Sequence, residues 1–251
     1  MKGRFQIGEI AQFFRLPAST LRYWEDCGVI TPQKNENNQY RTYTVSDLMT
    51  ISDIIFYKSL GIPLKKIRDM EKTTPTDQKQ IFEQKMQDLM DEQQQLLRRM
   101  EKLRHHIEAV QTLEALKKTV YQETDIDTEC IVSFDLIEQD KLLRYIENPY
   151  LYSRVQHSST PQQEQRGLTV PPDFGGTLVD SQVIWRKHSS KYIVFLMREE
   201  ITENFPNDLQ VHLNHIQSRH KTGDVISRFL LCAQENGKVF DFYKTFVEIL
   251  P

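Results

Sequence analysis

The first seventy residues alternate short apolar periods with turn signals. IGEIAQFF sets Ile7, Ile10, Phe13 and Phe14 at helical spacing, RLPAST turns the chain, and STLRYWEDC continues as a second helix that Gly28 stops. Two short helices about a tight turn form a helix-turn-helix pattern. ITPQKNENNQYRTYT is rich in Pro and Asn and ends in the alternating YRTYT, which predicts a β-ribbon or wing. Ser46 is expected to cap a third helix running through Lys58, with Asp47 in its first turn. GIP then interrupts, and LKKIRDMEK makes a short fourth helix.

Residues 75–119 carry the clearest period in the chain. Phe82, Met86, Leu89, Gln93, Leu96, Met100, Leu103, Ile107 and Val110 alternate spacings of four and three, a heptad seam with its a positions at 86, 93, 100 and 107. Such a stripe needs a partner, and the chain holds no second heptad segment. A second copy of the chain is the simplest one, so a coiled-coil dimerisation helix is expected, with Gln93 as a register pin. The alternative is a long helix packed on its own C-terminal domain.

From residue 120 the pattern becomes mixed. CIVSFDL, SQVIWR, YIVFLM, VISRFLLCA and VFDFYKTFVEI read as strands, and NDLQVHLNHIQSRH has helical spacing through Leu209, Leu213 and Ile216. The connection from Ser153 to Gly176, which includes PPDFGG, is expected to be long and irregular. The fold class is therefore α+β multidomain: a winged helix-turn-helix at 1–72, the coiled-coil helix at 75–119, and an α+β domain at 120–251.

Charge sharpens this division. Residues 1–72 hold 11 Lys and Arg against 8 Asp and Glu, residues 73–120 balance, and residues 121–251 hold 13 against 19. A basic N-terminal third beside an acidic C-terminal half suits a nucleic-acid module joined to something else. Cys27, Cys130 and Cys232 are far apart, form no CxxC, and are expected to be small buried apolar residues in a reducing compartment. No apolar run reaches membrane-helix length and MKGRFQIGEIAQFF lacks a signal-peptide core, so a cytoplasmic protein is expected.

The motifs FQIGEIA, TLRYWE, GVITP, YRTY, SDL and SLGIPLKKI, in this order over residues 5–70, resemble the DNA-binding domain of MerR-family regulators. Trp24 departs from the usual second tyrosine, and Gln39 stands where glycine is common in the wing. The resemblance implies DNA contacts from Ser19, Thr20, Arg22 and Tyr23 on the second helix, from Tyr40 and Arg41 in the wing, and from Lys58. Trp24 could serve either the core or the DNA face, since adjacent helical residues cannot both face one way. The resemblance also implies a homodimer joined by antiparallel pairing of its long coiled-coil helix on palindromic, double-stranded promoter DNA, where deformation of the operator lets RNA polymerase engage.

Effector expectations are looser. Metal and redox branches of that family place cysteines near the dimer helix, and this chain has none between Cys27 and Cys130, so no metal or other cofactor is expected. His212, His215 and His220, like His105 and His106, are expected to be solvated surface. The C-terminal segment resembles the effector domain of multidrug-sensing regulators, which implies an aromatic or lipophilic small-molecule effector held between aromatic walls. The candidates are Tyr150, Tyr152, Trp185, Tyr192, Phe195 and Phe229. Cation-binding members keep a buried glutamate in the strand after the helix, where GDVISRFLL has no carboxylate. Either Glu199 or Glu200 replaces it, or the ligand is neutral or anionic with Arg228 as a partner. A protein-docking C-terminal domain is a rival reading. A hydrolase is a weaker one, since no GxSxG, P-loop, GxGxxG or HExxH occurs.

Overall fold

The computed structural model describes residues 4–34, 40–170 and 182–251. Gln39 and the PPDFGG turn lie outside the described residues. The chain divides into two compact units, Met1–Leu96 and Leu97–Pro251.

In the first unit, β1 (Phe5–Gln6) leads into α1 (Ile7–Phe13), α2 (Ala18–Asp26), β2 (Gln33–Lys34), β3 (Arg41–Tyr43), α3 (Val45–Ser59) and α4 (Leu64–Asp69). The strands form a sheet in the order β1-β3-β2, so the wing strand β3 is pinned on both sides. Gly28 follows α2 at φ 67°, the left-handed conformation that ends a helix without a Cβ clash. The cap of α3 is Thr44 rather than Ser46: Thr44 Oγ1 accepts from the Asp47 amide at 3.2 Å, while Asp47 accepts from the Thr44 amide at 2.7 Å. The reciprocal box satisfies two amides, which Ser46, already inside the helix, cannot do. Ile10, Leu21, Trp24, Ile30, Tyr43, Ile51, Ile54, Ile62 and Ile67 form the core. Trp24 thus belongs to the core.

Helix α5 runs unbroken from Pro75 to Lys118. Thr74 caps it by exchanging bonds with Asp77, and Pro75 sits at the first position, where a missing N–H costs nothing. Its heptad stripe is exposed, from Met86 at 59% to Val110 at 37%. Two expectations about this helix change. Phe82 stacks on Tyr57 with ring centroids 6.0 Å apart and packs against the core of its own unit, so the open stripe begins at Met86. The last turns are packed on the chain's own sheet through Ala109, Leu113 and Leu116, on a different face from the stripe.

The second unit continues with β4 (Gln122–Thr124), β5 (Cys130–Ser133), α6 (Gln139–Glu147), β6 (Tyr152–His157), β7 (Gln165–Val170), β8 (Val183–Arg186), β9 (Lys191–Glu200), α7 (Leu209–Gln217), β10 (Lys221–Glu235) and β11 (Lys238–Leu250). Among the described residues these strands form one antiparallel sheet in the order β4-β9-β11-β10-β6-β7-β5-β8. The stretch expected to be an irregular connection instead supplies β6 and β7 in the middle of the sheet. Their apolar content is low because β6 carries a polar row, Arg154 and Gln156, toward a cavity. Strand β9 reads as an unbroken apolar run because both faces are covered: Tyr192, Val194 and Leu196 join the cluster with the end of α5, and Ile193, Phe195 and Met197 join the cluster with α7. Hairpin β10–β11 turns at Asn236 and Gly237, both at positive φ (50° and 81°), as a two-residue hairpin turn requires. Of the cysteines only Cys130 is buried; Cys27 is half-buried, and Cys232 is exposed at the end of the hairpin.

Candidate DNA interface and ligand cavity

Burying Leu21 and Trp24 turns the opposite face of α2 outward. Ser19, Arg22 and Tyr23 are exposed there and Thr20 is half-buried. Arg22 forms no ion pair among the described residues, unlike Arg41. Tyr40 is 71% exposed at the edge of the wing, and Lys58 is exposed in the last turn of α3. Arg41 Nε is bound to Glu25, which ties β3 to α2 and fixes the wing against the exposed helix. Two short helices about a turn, with a strand pair pinned to the second, make a surface of cations and hydroxyls on rigid elements.

The residues proposed for a ligand do not converge. Tyr152 and Glu199 line a cavity of about 1120 Å³ together with Phe134, Tyr145, Arg154 and Tyr243. Tyr150 and Arg228 line a separate pocket of about 290 Å³ beside α5, with His105, Asp127, Phe229 and Lys244. Trp185, Tyr192 and Phe195 are core, each at most 5% exposed. Glu200 faces away and pairs with Lys238 at 2.9 Å.

Arg154, at the floor of the larger cavity, was not foreseen. Its Nη1 and Nη2 donate to the two Glu199 oxygens at 2.7 and 2.6 Å, with Glu164 and the Tyr243 hydroxyl at 3.2 and 2.5 Å. Burial disfavours its charge, but the hydrogen bond to Glu199 and the nearby Tyr243 and Glu164 outweigh that and hold the guanidinium firmly charged. Burial likewise pushes the Tyr243 hydroxyl up, so it stays a neutral phenol. Alternation in YSRVQH places Arg154 beside Tyr152 and Gln156 and was the available signal, once that segment is read as a strand.

In the smaller pocket, burial would raise Asp127, but Arg228 and Lys244, at 2.8 and 2.6 Å, hold it below the usual carboxylate range. Arg228 therefore has an internal partner already. The histidines are not bare surface. His212 stacks on Phe195 at 4.3 Å and bonds the Tyr121 hydroxyl at 2.8 Å, His215 stacks on Tyr121, and His106 bonds the Tyr150 hydroxyl at 2.7 Å. Among the described residues no group of three or more His, Cys, Asp or Glu could hold a metal ion, and no helix is long and apolar enough to cross a membrane.

The first unit is thus a winged helix-turn-helix module. Residues 5–74 match the family described as "MerR HTH family regulatory protein", and the chain carries that family's helix-turn-helix domain at its N-terminus. It is 30% identical over 63 residues to the transcriptional activator TipA of Streptomyces coelicolor, a match covering 25% of this chain and 25% of TipA. It is 24% identical over 214 residues to the multidrug-efflux transporter 2 regulator of Bacillus subtilis, covering 81% of this chain and 72% of that protein. A MerR-family transcriptional regulator of Bacillus cereus superposes with a TM-score of 0.39 at 17% identity, over 57% of this chain and 96% of that one.

Proposed function

We propose that this chain is a ligand-responsive, sequence-specific transcription regulator that binds double-stranded promoter DNA as a homodimer and deforms the operator for RNA polymerase in the cytoplasm. The observation that carries the reading is the outward face of α2, Ser19, Arg22 and Tyr23, held to the wing by Arg41 and Glu25 within a MerR-type module. Helix N-terminal residues of this kind reach base edges while wing residues grip phosphates. The functional division follows the chain: 1–72 on DNA, 75–119 pairing two copies, 120–251 sensing. The open stripe from Met86 to Val110 supports pairing, because an apolar row of that length on a lone helix is costly in water. The aromatic cavity supports a small-molecule effector over a docked protein, which would need a flat face instead.

Selection of bound sequences from a random duplex library by the full-length protein, followed by footprinting, tests the reading. The expected result is a dyad-symmetric site whose spacer shows hypersensitive, distorted base pairs. Binding without sequence preference overturns it.

A further inference from the structure

We propose that the larger cavity of the C-terminal unit selects an uncharged planar aromatic ligand, because Arg154 is a resident cation that occupies the place beside Glu199. The inference rests on reading that cavity as the effector site.

Glu199 is the buried acid a ligand cation would need, with its side chain only 6% exposed. Both of its oxygens are already taken by Arg154, itself 11% exposed. The guanidinium carbon lies 4.4 Å from the Tyr243 ring centroid and 5.8 Å from that of Tyr152, so the two ring faces that would receive a ligand cation are in use as well. A cation entering here must expel Arg154 and leave that charge without a partner in a dry site. Anions fare no better. Arg166, the other cation of the lining, is shared with Glu164 at 3.5 Å. Of the remaining acids, Asp135 is exposed at the rim, and Asp241 is half-buried next to Cys232, its carboxyl pushed up by burial.

The rest of the lining is neutral. Phe134, Tyr145 and Tyr152 form a cluster with centroids 5.6 to 6.3 Å apart, and Asn207 and Gln162 offer amides at the wall. Rings offer stacking area, amides orient polar substituents, and ionic ligands are rejected by the charge each would strand.

The test is equilibrium binding of three fluorescent probes to the full-length dimer: uncharged Nile red, cationic rhodamine 6G and anionic anilinonaphthalene sulfonate. The wild type should favour Nile red by about tenfold or more over either ion. Arg154→Leu should raise rhodamine 6G affinity by about tenfold or more, and Glu199→Gln should do the same for the sulfonate, because each uncovers one buried charge. The double variant Arg154→Leu/Glu199→Gln strands neither charge and should keep the wild-type order, which decides the matter should a single variant not fold. A wild type that prefers either ion, or a double variant that gains one, overturns the inference. A folded wild type that binds no probe overturns the effector-cavity reading itself.

Discussion

Arg22 and Arg41 are exposed or half-exposed cations with different surroundings, and that difference separates their predicted effects. Among the described residues Arg22 has no ionic partner, so Arg22→Ala should weaken binding to the selected DNA site by about 1 to 3 kcal/mol and relax base preference at one position, if it grips a guanine edge. Arg41 also holds Glu25, so Arg41→Ala removes a brace together with the DNA contact proposed for it. Glu25→Gln keeps the cation while loosening the brace, and in titrations it should lose less affinity than Arg41→Ala. Equal losses assign Arg41 a bracing role alone. Another residue-scale prediction concerns His188, which bonds Glu248 at 2.7 Å while Ser190 and the Asp224 amide complete that carboxylate's shell. The bond to Glu248 raises His188 above its ordinary 6.5. Burial would raise Glu248, yet its hydrogen bonds hold it below its ordinary 4.5. The histidine's contribution is complete below 6.5 and fades as pH rises through its folded value; the glutamate's is complete above 4.5 and fades as pH falls through its own. The thermal midpoint of the wild type should therefore exceed that of His188→Gln most between 4.5 and 6.5, with the gap closing at higher pH. A gap independent of pH contradicts the pairing.

Elements bear the next set of consequences. Thr44→Ala removes the reciprocal cap of α3 and should lower stability by about 1 kcal/mol, read by denaturant titration. On α5, Leu96→Asp or Leu103→Asp places a charge in the open stripe, and sedimentation should show monomers that bind the operator poorly; intact dimers sink the pairing model. The helices of the first unit, α5 and α7 were legible in sequence because period and breakers agree: Gly28 ends α2, and the 3-4 spacing marks α5 without help from tertiary context; α6 was not read. Strands β6 and β7 were not legible. Each is six residues long, polar on one side, and fixed on its outer edge by a strand remote in sequence, β10 for β6 and β5 for β7, so local pattern reads them as loop. The residues proposed for DNA contact came from ordered motifs, and the structure leaves Ser19, Arg22, Tyr23, Tyr40 and Lys58 exposed. The cavity did not, because aromatic density marks core as readily as ligand walls: Trp185, Tyr192 and Phe195 went to the core, and Arg154 sat in an unrecognised strand.

At the scale of the whole molecule, a basic N-terminal third and an acidic C-terminal half act in the same direction. The first attracts phosphates and the second discourages indiscriminate association. With Arg41 and Lys58 from each protomer of the proposed dimer neutralising phosphates, the logarithm of DNA affinity should fall against the logarithm of salt with a slope of about −4. Leu103→Asp, as a monomer, should show roughly half that slope. A salt series measured by fluorescence anisotropy reads both, and a slope near zero removes the electrostatic account.

The pairing of Arg154 with Glu199 also shapes how this protein changes over generations. Losing either partner of such a buried pair costs about 3 to 5 kcal/mol, set against a total stability of about 5 to 15 kcal/mol for a typical domain. A lineage moving toward ionic compounds must cross that valley or first accumulate surplus stability. Ring-for-ring exchanges at Phe134 or Tyr145 meet no such barrier, so the shape of the cavity is open to change at little cost while the Arg154–Glu199 pair is not.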